Sequence, residues 1–107
     1  MYIEKIKFER TGGFAGIRLT AEIEMDDLPN DQKLEIINII DESDFEELPE
    51  KLAGNMPVPD GFVYDIKVYS REEEYRVFTS ESSLPDDLQP LIEILERIAK
   101  QQMRNKD

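Results

Sequence analysis

Gly12-Gly13 lies between two runs in which apolar and polar residues alternate. A two-residue primed turn needs φ > 0 at both central positions, and glycine supplies this without steric cost. A hairpin is therefore predicted, with Thr11 paired to Phe14, Phe8 facing Ile17, Ile6 facing Leu19 and Tyr2 facing Ile23. The last three pairs share one face, so turn chemistry and hydrophobic pattern agree. Phe14 is then left on the polar face beside the turn, an odd place for a core residue.

The rest of the chain repeats this plan. Ile17, Leu19, Ala21, Ile23 and Met25 alternate with Arg18, Thr20, Glu22 and Glu24. Further on, Phe62, Tyr64, Ile66 and Val68 form one inward stripe, and Tyr75, Val77 and Thr79 another after a polar turn near Ser70–Glu73. Asp27-Leu-Pro-Asn-Asp31 and Ser83-Leu-Pro-Asp-Asp87 each follow a strand pair and read as helix starts: a capping residue, a proline in the first turn, and carboxylates suited to the helix dipole. The first helix is expected from about 28 to 42, burying Leu34, Ile37 and Ile40 with Ile36 alongside. In the second, Leu88, Leu91, Ile92, Leu95, Ile98 and Ala99 make a single face. Pro90 places its regular part nearer Asp87 or kinks it there. Strands with one apolar face and two amphipathic helices give an α+β fold, ββαββα: a four-stranded antiparallel sheet with both helices on one side. Ile6, Phe8, Ile17, Leu19, Ile23, Ile66, Val68, Leu91, Ile92 and Leu95 are expected to form its core.

With 107 residues the chain is a single domain, residues 1–107, able to bury roughly two thirds of its unfolded surface. It has no cysteine and no histidine, which removes disulfides, thiolate nucleophiles, the commonest metal ligand and the usual general base. No cofactor and no metal of its own are therefore expected. The N-terminus lacks a signal peptide's apolar centre and no run is long enough to span a membrane, so a soluble cytoplasmic protein is expected. Thirteen basic against twenty-five acidic residues leave a formal charge of −12. Such a surface repels phosphates and anionic lipids, which makes nucleic acid and membrane poor partners. It would steer the protein toward basic surfaces with a salt-sensitive on-rate.

Catalysis finds little support. Carboxylate pairs at Asp26/Asp27, Glu46/Glu47 and Asp86/Asp87 are ordinary in so acidic a chain, and two of them serve helix N-termini. Gly12, Gly13 and Gly16 do not form a phosphate loop, since no Lys-Ser/Thr follows and they open a strand. No calcium-loop spacing occurs.

The segment Pro49–Gly61 stands apart. It holds three prolines and two glycines, has no helical or strand period, yet carries Leu52, Met56 and Val58. Ordered loops of this length are uncommon in compact domains and are often functional. These side chains either cap the open end of the core or are offered to a protein groove, where proline lowers the entropy cost of binding. If the last two strands form a hairpin, the end of this loop neighbours Ser80–Asp87, so apolar and carboxylate groups share a surface. The Gly12-Gly13 turn belongs at either end of the sheet.

Several of these pieces occur together elsewhere. Arg10-x-Gly-Gly-Phe-Ala-Gly16, Leu19-Thr-Ala-Glu22, Asp27-Leu-Pro29, Asp44-Phe45 with Leu48-Pro49, and Leu84-Pro-x-x-Leu-x-Pro-Leu91 follow in the order seen in the emfourin-like proteins. The chain resembles that family over nearly its whole length. The family comprises small bacterial and archaeal inhibitors of thermolysin-family zinc proteases, chiefly the protealysin-like enzymes. The resemblance implies a non-catalytic protease inhibitor whose partner is such a metalloprotease. An active site of that kind sets a zinc beside an apolar pocket, so a blocker gains from an apolar anchor and an oxygen ligand. Leu52, Met56 and Val58 are the candidate anchors, and Asp60, Glu81, Asp86 and Asp87 the candidate carboxylates. Phe14 is a further contact candidate. The alternative is an acidic binding module, such as a nucleic-acid mimic, which should array carboxylates along an extended face.

Overall fold

The computed structural model describes residues 2–12, 18–52, 61–71 and 73–104, with backbone alone for Lys51 and Leu52. In chain order the elements are β1 (Lys5–Gly12), β2 (Leu19–Glu24), α1 (Asn30–Glu42), β3 (Lys51–Leu52), β4 (Phe62–Ser70), β5 (Glu73–Ser80) and α2 (Gln89–Arg104). The four long strands form the expected antiparallel sheet in ββαββα order, and β3 adds a two-residue parallel rung, giving β2-β1-β4-β5-β3. This rung corrects the reading of Pro49–Gly61 as free of strand. Lys51 pairs with Phe78 and Leu52 with Thr79, and the Phe78 N–H donates to the Glu50 carbonyl at 2.6 Å.

The hairpin register differs from the two-residue turn. Phe8 faces Ala21 rather than Ile17, Ile6 faces Ile23 rather than Leu19, and Arg10 faces Leu19. The described pairing ends at Arg10 with Leu19, which is not the pairing that a turn centred on Gly12-Gly13 requires; Ile17 and Phe14 lie outside the described residues. The partner shift is four residues, an even number, so every side chain keeps its face. Tyr2, predicted to face Ile23, lies outside the strand and is exposed. The core follows the predicted stripes: Ile6, Phe8, Leu19, Ile23, Ile66, Val68, Leu91, Ile92 and Leu95 are buried together.

Both helices cover that face. α2 lies along β2 and against α1, and full burial of Leu91, Ile92 and Leu95 contributes about 1.5–3 kcal/mol for each side chain. α1 follows the sequence less closely. It buries Ile36 and Ile40 and half-buries Ile37, whereas Leu34 is 59% exposed. Leu34 lies about 200° from Ile36 around the helix, so one stripe cannot bury both. Neither predicted cap operates. Asp27 ends a 3₁₀ turn, and Pro29 stands at the cap of α1 with no side-chain cap bond. Ser83 ends another 3₁₀ turn, and α2 starts only at Gln89 after a second turn, Asp86–Leu88. Pro90 thus sits in the first turn of α2, where its missing N–H costs nothing. At the β2 edge the Gln102 side-chain amide donates to the Glu22 carbonyl at 3.1 Å, blunting a row of open backbone groups. No helix among the described residues is long and apolar enough to cross a membrane.

Candidate functional site

Register determines which connections meet. Gly12 pairs with Phe62 on β4, and Val63 pairs with Ser80 on β5. Gly12, the start of β4 and the end of β5 therefore occupy one end of the sheet. β3 runs parallel to β5 and brings Leu52 beside Thr79, so the C-terminal end of β3 lies at this same end. Gly12, the Leu52 end of β3, the start of β4 and the turn after Ser80 thus converge. Of the neighbourhood expected between the end of the long loop and the 80–87 segment, Ser80 and Glu81 lie beside Val63 and Phe62, and the glycine end of β1, which sequence could not assign, joins them.

Gly12 serves this end by close approach. Its φ is +89°, and a Cβ there would fall 2.7 Å from the Gly61 carbonyl oxygen. Any other residue would be strained in the backbone and would push against backbone. β1 can approach the Gly61 carbonyl this closely because Gly12 carries no side chain.

Beneath the end, on the helix-covered face, lies a charged pair that sequence reasoning missed. Arg10 continues the inward alternation of Ile6 and Phe8, and its Nη1 donates to Glu96 Oε2 of α2. The guanidinium also stacks 4.3 Å from the centre of the Phe62 ring, a cation–π arrangement. Arg10 Nε is buried without a partner. Beside it Tyr64 is only 4% exposed, and its phenol is pushed up to about 12 by burial, with Glu96 and Glu81 adding to the rise and Arg10 opposing it. The usable signal was a pair of opposite charges set along two apolar stripes: Arg10 follows Ile6 and Phe8, and Glu96 follows Ile92 at i+4.

The candidate carboxylates separate. Glu81 is exposed at the sheet end, where its Oε1 accepts the Phe62 N–H at 3.1 Å. Ser80 Oγ lies 3.1 Å from both Ser82 Oγ and Ser83 Oγ, closing the turn around it. Asp86 and Asp87 instead line a shallow depression with Ile39, Glu42 and Pro90, against α1. They precede α2 by one turn, where negative charge suits its dipole. Phe14, Met56, Val58 and Asp60 lie outside the described residues, as does the side chain of Leu52. Among the described residues no three acidic side chains form a group able to hold a metal ion.

The uncovered face of the sheet bears on the acidic-mimic alternative. Its carboxylates are interleaved with cations: Lys5 bridges Glu22 at 2.7 Å, Arg18 meets Glu9 at 3.1 Å, and Arg76 grips Asp65 through Nε and Nη2 at 2.9 and 2.8 Å. Among the described residues this face presents no continuous row of unpaired negative charge.

The described residues form a one-sided α+β sheet with the Gly12, Leu52, Phe62 and Ser80 strand ends gathered at one end. The Emfourin family model matches residues 8–96, and the chain belongs to the Emfourin family. Proteins of this family are known as inhibitors of protealysin-type metalloproteases and are not enzymes, and membership implies a metalloprotease partner. No match was found among curated proteins or solved structures.

Proposed function

We propose that this protein inhibits its metalloprotease by placing the Gly12/Gly61/Glu81 end of the sheet over the protease's active-site cleft. Leu52, Met56 and Val58 supply the apolar contact, and a carboxylate near the segment's close, Asp60 first among the candidates, approaches the protease zinc. One observation supports this reading above the others: the only long segment rich in proline and apolar residues begins and ends where β1 and β5 also open their connections. Segments anchored at both ends on a sheet lose less freedom on binding, which favours affinity. Carboxylate oxygen is an accepted zinc ligand.

The test is an inhibition titration with the Leu52→Ala, Met56→Ala, Val58→Ala triple variant, shown by circular dichroism to be folded. Inhibition of a thermolysin-family protease should weaken at least tenfold, about 1.4 kcal/mol. Unchanged inhibition would make the segment structural and move the contact surface to Phe14 and the glycine turn.

A further inference from the structure

Glu81 has an exposed carboxylate at the sheet end, yet its geometry points away from a direct contact with the partner's metal. β4 and β5 pair as far as Val63 opposite Ser80, so the next rung would set Phe62 opposite Glu81. At that rung the chain after Ser80 turns off into the 3₁₀ turn Glu81–Ser83. The Glu81 carboxylate takes the Phe62 N–H at 3.1 Å, so a side chain supplies the acceptor where the ladder stops. A charged acceptor makes the stronger class of hydrogen bond. Phe62 is held from other sides as well. Its backbone lies opposite Gly12, and its ring stacks under the Arg10 guanidinium that Glu96 of α2 engages.

We propose that Glu81 is a positioning residue for inhibition: it fixes the point at which the 53–60 segment rejoins the sheet, and it acts through Phe62. The chain Glu96–Arg10–Phe62–Glu81 links α2, β1, β4 and the turn after β5 at the base of that segment. This proposal rests on the inhibitory reading above and names how that site is pre-organised. The two roles for Glu81 make opposite demands on one substitution. Glutamine keeps an acceptor oxygen that can receive the Phe62 N–H, but an amide is not among the usual zinc ligands.

The experiment compares wild type, E81Q and E81A in two measurements: inhibition of a thermolysin-family protease, and amide hydrogen exchange at Phe62 in the free protein. Positioning predicts faster Phe62 exchange in E81A and weakening of its inhibition by roughly fivefold or more, while E81Q stays within about twofold of wild type in both. Equal loss of inhibition in E81Q and E81A, with Phe62 still protected in E81Q, would overturn the proposal and make Glu81 a direct contact. Full inhibition by E81A, or unchanged Phe62 exchange in it, would also overturn it. If wild type inhibits no such protease, the inhibitory reading falls and the positioning role for inhibition falls with it. Phe62 exchange then decides whether the clasp itself exists.

Discussion

Removing Glu96 should expose how much the sheet end depends on its ion pair. The Arg10 side chain is 16% exposed and that of Glu96 21%, so both charges are largely withdrawn from water. Breaking a fully buried pair by truncating one partner costs about 3–5 kcal/mol, because the other charge is left uncompensated. Here about a fifth of each side chain still meets solvent and water can partly replace the lost partner, which lowers the expected cost of Glu96→Ala to about 2 kcal/mol. The stacking on Phe62 survives that substitution and limits the loss further. At about 4–5 °C per kcal/mol for a chain of this size, the melting temperature should fall by roughly 9 °C. The assay is thermal and urea unfolding of wild type, Glu96→Ala, Glu96→Leu, Arg10→Met and the double variant Arg10→Met/Glu96→Leu. The double variant should recover most of the stability, since apolar replacement of a buried pair is often neutral. A loss below about 0.5 kcal/mol for Glu96→Ala, or strictly additive losses in the double variant, would refute a coupled pair at this site.

Two other outcomes follow from the core. Leu91→Ala should destabilise the protein by about 2–5 kcal/mol through the cavity left under α2, measured by urea unfolding. Tyr64 makes stability fall at alkaline pH: its phenol titrates near 10 when unfolded and about 12 when folded, so the contribution is complete below pH 10 and is lost as pH rises from about 10 to 12. The loss from Tyr64 is at most about 2–3 kcal/mol, and Tyr64→Phe should reduce the slope of the stability profile over that window, leaving the part due to Lys5, Tyr69 and Tyr75, which are also raised.

Period-two and helical patterns made the faces legible. Each strand had one apolar side, and α2 carried an unbroken stripe from Leu88 to Ala99, so fold class and most of the core could be read directly. Register could not, because Gly12-Gly13 matches a two-residue turn in composition while Gly12 serves a close contact with Gly61. That contact depends on β1 lying beside β4, which no local pattern encodes. Leu34 misled for a related reason: α1 offers apolar residues on more than one side, and the neighbours selected Ile36 and Ile40. The site was legible in outline. Sequence placed the long segment beside Ser80–Asp87, but the division between Glu81 at the sheet end and Asp86/Asp87 against α1 needed the two 3₁₀ turns between β5 and α2. Arg10 and Glu96 are 86 positions apart, and only the packing of α2 across the sheet brings them together.

We propose that the Gly12/Gly61/Glu81 end faces the protease. Amide hydrogen exchange of this protein, alone and bound to a thermolysin-family protease, tests it most directly. Binding should bring new protection at Gly12, Phe62, Val63 and Ser80–Ser83, with the opposite end of the sheet, Glu4, Arg71 and Glu73, unchanged. Protection confined to that opposite end or to the outer surfaces of α1 and α2 would contradict it.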